Sequence, residues 1–273
     1  MSEPLLISTG ELAGRLGEDG LRVVDTRFSL AGDELGEQEH ERAHIPGAVY
    51  LHWYRDLSDP DDDVLGQLAP LPRFAETMER AGIGDETTVV AYDDGVIFMA
   101  ARLYWSLLNY GHERVRVLDG GWPAWIREGR PTEAGHLAME AGASFSGGVP
   151  RPGLRATKAD VLAALAGDTR ILDCRMDGTW YAAGAHIPGA ARLAAPSLVD
   201  EAGLLRAPDA IAARAREAGV DPGDDVILYC GGGISASLAF AALTSAGYRH
   251  LRVYDGSWSE WSADPATPRE SHA

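Results

Sequence analysis

His44-Ile45-Pro46-Gly47-Ala48 returns letter for letter as His186-Ile187-Pro188-Gly189-Ala190. Three further pairs flank it in the same order. Val23-Val24-Asp25-Thr26-Arg27 precedes the first copy as Ile171-Leu172-Asp173-Cys174-Arg175 precedes the second. Val89-Val90-Ala91-Tyr92-Asp93 follows the first, matched by Val226-Ile227-Leu228-Tyr229-Cys230 after the second. Asp119-Gly120-Gly121-Trp122 with Trp125 answers Asp255-Gly256-Ser257-Trp258 with Trp261. Four matches in one order mark a duplicated domain, and 273 residues suit two domains of ordinary size.

Each half alternates short β-branched runs with helical stretches. Strands are predicted at Arg22 to Val24, Val89 to Tyr92 and Val115 to Leu118, punctuated by Gly, Pro and Asp. Helices are predicted at Glu11 to Leu16, Phe74 to Ala81 and Met99 to Leu108, then at Lys158 to Leu165, Pro208 to Ala218 and Ser235 to Ala246. Thr157 reads as an N-cap, with Asp160 at the third helical position. Apolar strands alternating with helices predict an α/β fold. Each of two tandem domains is expected to hold a mainly parallel sheet with helices on both faces. The domains are placed at 1–128 and 154–273. The join at 129–153 is rich in Gly and Pro, including Pro131, Gly135, Gly142, Gly147, Gly148, Pro150 and Pro152.

Composition narrows the class. With 45% hydrophobic and 24% charged residues, the chain reads as globular and not disordered. A formal charge of −17 argues against a nucleic-acid partner, which would demand clustered Lys and Arg. No apolar run approaches the roughly 18 residues that span a bilayer, so no membrane partner is expected. The N-terminus lacks a basic stretch followed by a long apolar core, and two cysteines make no disulfide framework. A cytoplasmic location is expected.

The chemistry concentrates where the repeats differ. In Val226-Ile-Leu-Tyr-Cys-Gly-Gly-Gly-Ile-Ser-Ala-Ser, a buried strand ends at Tyr229 and a helix begins near Ser235. Between them Cys230 opens a run of three glycines, which let the chain curl with its N–H groups inward. The N-terminus of the next helix adds partial positive charge there. A cysteine so placed is expected in its reactive thiolate form, and the same cradle would hold the charge of a persulfide. The bland reading is an inert core cysteine before a flexible turn. Asp93 stands at the same place in the first copy, so the fold does not require cysteine there and one site per chain is expected. Its loop reads as one residue shorter than the loop after Cys230.

These segments resemble the tandem-domain rhodanese sulfurtransferases, the thiosulfate and 3-mercaptopyruvate enzymes, over nearly the whole length. The resemblance rests on the two Asp-X-Arg strands, the two His-Ile-Pro-Gly-Ala segments, the Asp-Gly-Gly/Ser-Trp-X-X-Trp segments and the loop Cys230 to Ser235. It implies that Cys230 takes a sulfane sulfur from a small anionic donor and passes it to cyanide or a thiol, with no metal or organic cofactor. It implies a site between the domains, with the C-terminal copy active. It puts Phe28 at an aromatic position of the active-site entrance and makes Asp255 a brace for the loop.

The donor is less clear from the same resemblance. The loop Cys230-Gly231-Gly232-Gly233-Ile234-Ser235 has no basic residue, unlike the thiosulfate enzymes, yet Gly232 replaces the serine of the mercaptopyruvate enzymes. Thr179 stands where the family carries a donor-binding arginine, and the Pro-rich segment bearing a second arginine is missing. Arg175 reads as the partner of Asp173 more than as a substrate ligand. Arg27 is a candidate to face the cleft and supply the missing charge. His44 is a candidate for acid–base help, against the bland reading that both repeated histidines, His44 and His186, serve a turn. Trp122, Trp125, Trp258 and Trp261 read as packing anchors, and Cys174 as a small buried hydrophobe. A phosphatase would carry Arg six residues past the cysteine, where Ala236 stands. A carrier module that holds sulfur for a protein partner is the rival of another class.

Overall fold

The computed structural model describes residues 4–29, 31–32, 34–135, 142–148 and 151–272. Part of the expected join, 136–141 and 149–150, which includes Pro150, lies outside the described residues. The chain forms two compact units. One comprises residues up to Asp59, Leu68–Arg151 and Glu201–Leu204; the other comprises Pro60–Gln67, Pro152–Asp200 and the chain from Leu205 onward.

Each unit is a five-stranded parallel sheet with helices packed on it. In the first, the order is Leu6–Ile7, Val115–Leu118, Thr88–Tyr92, Leu21–Asp25 and Val49–Tyr50. In the second, Arg155–Ala156, Leu251–Tyr254, Val226–Tyr229, Arg170–Asp173 and Ala191–Arg192 repeat it. The same order twice is the repeat written in three dimensions. In both units the middle strand is apolar, as a strand covered on both faces must be. The expected helices are present with ends shifted by a few residues, and Thr157 and Asp160 form a reciprocal capping box on the helix Lys158–Ala164.

The repeated motifs are explained by one buried network per unit. In the first, the Arg27 guanidinium bonds both carboxylate oxygens of Asp25 at 3.0 Å, donates to the Ala43 carbonyl at 2.8 Å and lies 4.5 Å over Trp122. Tyr92 donates its hydroxyl to Asp25 at 2.7 Å. In the second, Arg175 does the same with Asp173, the Ala185 carbonyl (2.9 Å) and Trp258 (4.7 Å), and Tyr229 donates to Asp173 at 2.6 Å. The apolar members form the two cores: Ile45, Tyr92 and Trp125 in one, Ile187, Tyr229 and Trp261 in the other. Trp125 and Trp261 are completely buried, and each indole N–H donates to a proline carbonyl, Pro131 and Pro268. This return matters at the join. Pro131 to Gly135 still pack on the first unit, with His44 and Glu133 exchanging backbone hydrogen bonds, just as Glu270–Ser271 pairs with Ala185–His186 in the second.

Burial would push the Asp25 carboxyl up, but hydrogen bonds from His40 and Arg27 outweigh it and hold it below the ordinary 3.8. A group depressed on folding contributes stability that is present above the ordinary value and lost as pH falls through the folded one. Urea unfolding of the wild type is therefore expected to show a decline on the acid side below about pH 4 that is shallower in Asp25→Asn. Identical acid slopes would remove Asp25 from this role. Among the described residues, no helix is long and apolar enough to cross a membrane.

Candidate active site

The second unit's middle strand carries the chain into the loop of interest. Tyr229 is pinned at the strand end, since its hydroxyl donates to Asp173 and accepts from the Ile187 amide at 3.2 Å. Cys230 follows, 2% exposed, while Gly231, Gly232, Ile234 and Ser235 are half-buried. The helix Ile234–Ser245 begins after Gly233, whose φ of 82° lies in the left-handed region that glycine enters without steric cost.

The loop is held from the turn after the neighbouring strand. Ser257 Oγ accepts the amides of Cys230 (3.0 Å) and Gly233 (3.1 Å) and donates its proton to the Tyr254 carbonyl (2.7 Å). It lies 4.0 Å from the cysteine sulfur. Ser259 donates both its amide (3.0 Å) and its hydroxyl (2.7 Å) to the Gly231 carbonyl, and the Trp258 amide donates to the Cys230 carbonyl (2.9 Å). Ser257 itself has φ 52°, a conformation costing a non-glycine residue of order 1–2 kcal/mol. The amides of Gly231, Gly232, Ile234 and Ser235 meet no acceptor among the described residues.

The first unit shows what such amides bind. Asp93, at the place of Cys230, turns its carboxylate into its own loop. One oxygen accepts the amides of Gly95 (3.0 Å) and Ile97 (3.1 Å), the other those of Met99 (3.0 Å) and Ala100 (3.3 Å). Burial pushes this carboxyl up, and the four amides work against that. The turn is therefore an anion cradle by construction. Its length corrects the sequence reading: four residues, Asp94 to Ile97, separate Asp93 from the helix, against three, Gly231 to Gly233, after Cys230. The first loop is the longer one.

Other candidate residues sort by burial. Arg175 is 1% exposed and consumed by Asp173, as the sequence suggested. Arg27 does not face a cleft: it is 2% exposed and bound to Asp25 and the Ala43 carbonyl, because the strand end turns it inward. His44 is wholly buried; one ring nitrogen bonds the His40 carbonyl at 2.7 Å, the ring stacks on His40, and burial lowers its pKa. The ring is thus packed into the turn that follows the helix Leu35–Arg42. Thr179 is exposed on the helix Asp177–Ala183, with its hydroxyl returned to the Met176 carbonyl. Phe28 is half-buried, edge-on to His52 and Trp53. Asp255 is buried and paired with Arg155 at 3.2 Å. Burial pushes the Cys174 thiol well above its ordinary range.

Ser257 and Ser259 were missed in the sequence, although a signal was there. Where the first copy has Asp93 and Gly121, the second has Cys230 and Ser257. The acceptor lost at one position is supplied from the other. Ser257→Ala leaves two loop amides without their acceptor, at about 1–3 kcal/mol each, and frees the loop to move. Its kcat/KM for the sulfur transfer that the resemblance implies is expected to fall about 10- to 100-fold, and steady-state kinetics showing no change would remove Ser257 from the site.

A profile of the rhodanese-like domain matches residues 8–128 and again 157–264. The putative thiosulfate sulfurtransferase SseB of Mycobacterium tuberculosis is 34% identical over 97% of this chain and 96% of its own length. The 3-mercaptopyruvate sulfurtransferase of Escherichia coli K12 is 30% identical over 99% of each chain. Among solved structures, that of the 3-mercaptopyruvate enzyme SseA from Escherichia coli matches with a TM-score of 0.85 at 28% identity, covering 94% of this chain and 99% of that one.

Proposed function

Since the chain belongs to the rhodanese-like family and is a sulfurtransferase, we propose that Cys230 is its sulfur-carrying nucleophile and that the amides of Gly231, Gly232, Ile234 and Ser235 hold the charge on the carried sulfur. The observation that supports this is the contrast between copies. The amides that converge on the Asp93 carboxylate in the first unit have counterparts in the second with no internal anion to bond.

Two half-reactions follow. The Cys230 thiolate attacks the outer sulfur of thiosulfate; the S–S bond breaks, its electron pair leaves with sulfite, and Cys230 becomes a persulfide anion. With 3-mercaptopyruvate the C–S bond breaks instead. Its electron pair goes to the methylene carbon, and the proton from the transferred sulfur completes pyruvate. In the second half, cyanide or a thiolate attacks the terminal sulfur and the electron pair returns to Cys230 as thiolate. In both halves negative charge resides on sulfur at the loop, where amides without another acceptor and a helix N-terminus are available to stabilise it. The two cysteines, neither in a disulfide, suit a reducing compartment, and we place the reaction in the cytoplasm.

Mass spectrometry tests the reading directly. After exposure to either donor the protein is expected to gain one sulfur, about 32 Da, and to lose it on adding cyanide, with the adduct on the peptide bearing Cys230. Sulfur found on Cys174 would overturn the assignment. A carrier that serves a protein partner is the second reading, favoured by Thr179 at the donor-arginine position; it predicts loading without turnover of free donors.

A further inference from the structure

The chain has two cysteines, and the fold sets them side by side. The parallel strands Arg170–Asp173 and Val226–Tyr229 pair in a register whose last partners are Asp173 and Tyr229. The residues that follow are Cys174 and Cys230. The ladder reaches that far, since the Cys174 amide donates to the Tyr229 carbonyl at 2.8 Å. Register partners on neighbouring strands stand roughly 4.8 Å apart and leave the sheet on one face. A disulfide joins Cα atoms about 4.4–6.8 Å apart. Both thiols are free and buried. Burial raises the pKa of the Cys174 thiol most, and the neighbouring Cys230 thiol raises it further. The Cys174 sulfur has only a weak contact with the Leu172 carbonyl, at 3.7 Å, to hold it from turning toward Cys230.

The first copy shows that the fold does not ask for sulfur at these places. Thr26 and Asp93 occupy them, with the same ladder bond from the Thr26 amide to the Tyr92 carbonyl at 2.8 Å. The Thr26 hydroxyl donates to that carbonyl too, and the Asp93 carboxylate is taken up by its own loop. Packing at position 174 asks for a small side chain. It does not ask that the second thiol of the chain stand opposite the first.

We propose that Cys174 is the resolving thiol of Cys230, and that a hydroperoxide converts the pair into a reversible Cys174–Cys230 disulfide that switches sulfur transfer off. This rests on Cys230 being the reactive thiol. Its thiolate attacks one peroxide oxygen; the O–O bond breaks, hydroxide leaves with the electron pair, and Cys230 becomes a sulfenic acid. The Cys174 sulfur then attacks the Cys230 sulfur. The S–O bond breaks, the hydroxyl leaves as water with the Cys174 proton, and the S–S bond forms. The two cysteines together give two electrons to the peroxide. A buried, protonated thiol is a poor nucleophile toward reagents from solvent, and its fixed place beside Cys230 compensates for that. External thiols reverse the change by exchange, so in a reducing compartment the bond is transient.

The test compares the full chain with Cys174→Ser and Cys174→Ala. Each is first stripped of carried sulfur with cyanide, then treated with a small excess of hydrogen peroxide. Wild type is expected to lose about 2 Da, with the peptides bearing Cys174 and Cys230 joined. Its sulfur transfer should be lost and return almost fully with dithiothreitol. Both variants are expected to start with sulfur transfer within about twofold of wild type, since Cys174 touches no donor. After peroxide they should gain about 32 or 48 Da on Cys230, as sulfinic or sulfonic acid, and recover at least fivefold less activity. Wild type that ends in the same acids as the variants, that recovers no better than they do, or that forms a disulfide only between two chains would overturn the proposal. Failure of the underlying reading shows separately, as sulfur transfer that persists in Cys230→Ser.

Discussion

Cys230→Ser is expected to lower kcat/KM for sulfur transfer by at least about 10⁴-fold, which is roughly 5.5 kcal/mol of transition-state stabilisation. The reason is chemical and not steric. A serine hydroxyl has no low-lying anionic form at neutral pH, and the nearby Ser257 hydroxyl is no base for it, since its own proton is directed to the Tyr254 carbonyl. The side chain is nearly isosteric and its amide stays bonded to Ser257, so the fold should persist. Circular dichroism and the thermal midpoint, unchanged within a few degrees, separate lost chemistry from lost structure. A Cys230→Ser variant that still turns over free donors would remove the thiolate from the mechanism.

Asp93→Ala is expected to cost the chain about 3–5 kcal/mol of stability, the largest such effect among the site-like positions. Four amides now end on one buried carboxylate, and alanine leaves all of them without it. The loss is less than four full penalties, because removing the carboxylate also removes its desolvation cost. Asp93→Asn, which keeps one acceptor oxygen, should fall between. The measurement is the urea midpoint, or the earlier of two transitions if the units unfold apart. Wild-type stability in Asp93→Ala would mean that water replaces the carboxylate at no cost, and the cradle would lose its meaning as an anion site. Asp93→Cys is not expected to load sulfur, and the physical reason is the extra residue that separates position 93 from its helix.

Cys230 stood out in the sequence because two repeats could be compared, and a difference between copies of one fold points to function. The pairing of Asp25 with Arg27 and of Asp173 with Arg175 was readable for a similar reason: each motif occurs twice in the same setting. The inward turn of Arg27 was not readable, since a two-residue spacing in a strand does not say which neighbour satisfies a charge. Only the packed core, with the Ala43 carbonyl and the Trp122 face in place, removes that arginine from solvent. The stacking of His44 on His40 was not readable for the same reason.

What the amino-acid order determined alone is the duplication, the parallel α/β sheets and the single cysteine at a strand-to-helix turn. All three follow from local periodicity and repetition, which act between near neighbours along the chain. What the tertiary structure decided is who holds the loop and what borders it. Ser257 reaches back 27 residues to the Cys230 amide, and Pro60–Gln67 comes from far up the chain to the rim. Contacts across such separations depend on how sheets and turns pack, and no local pattern encodes them.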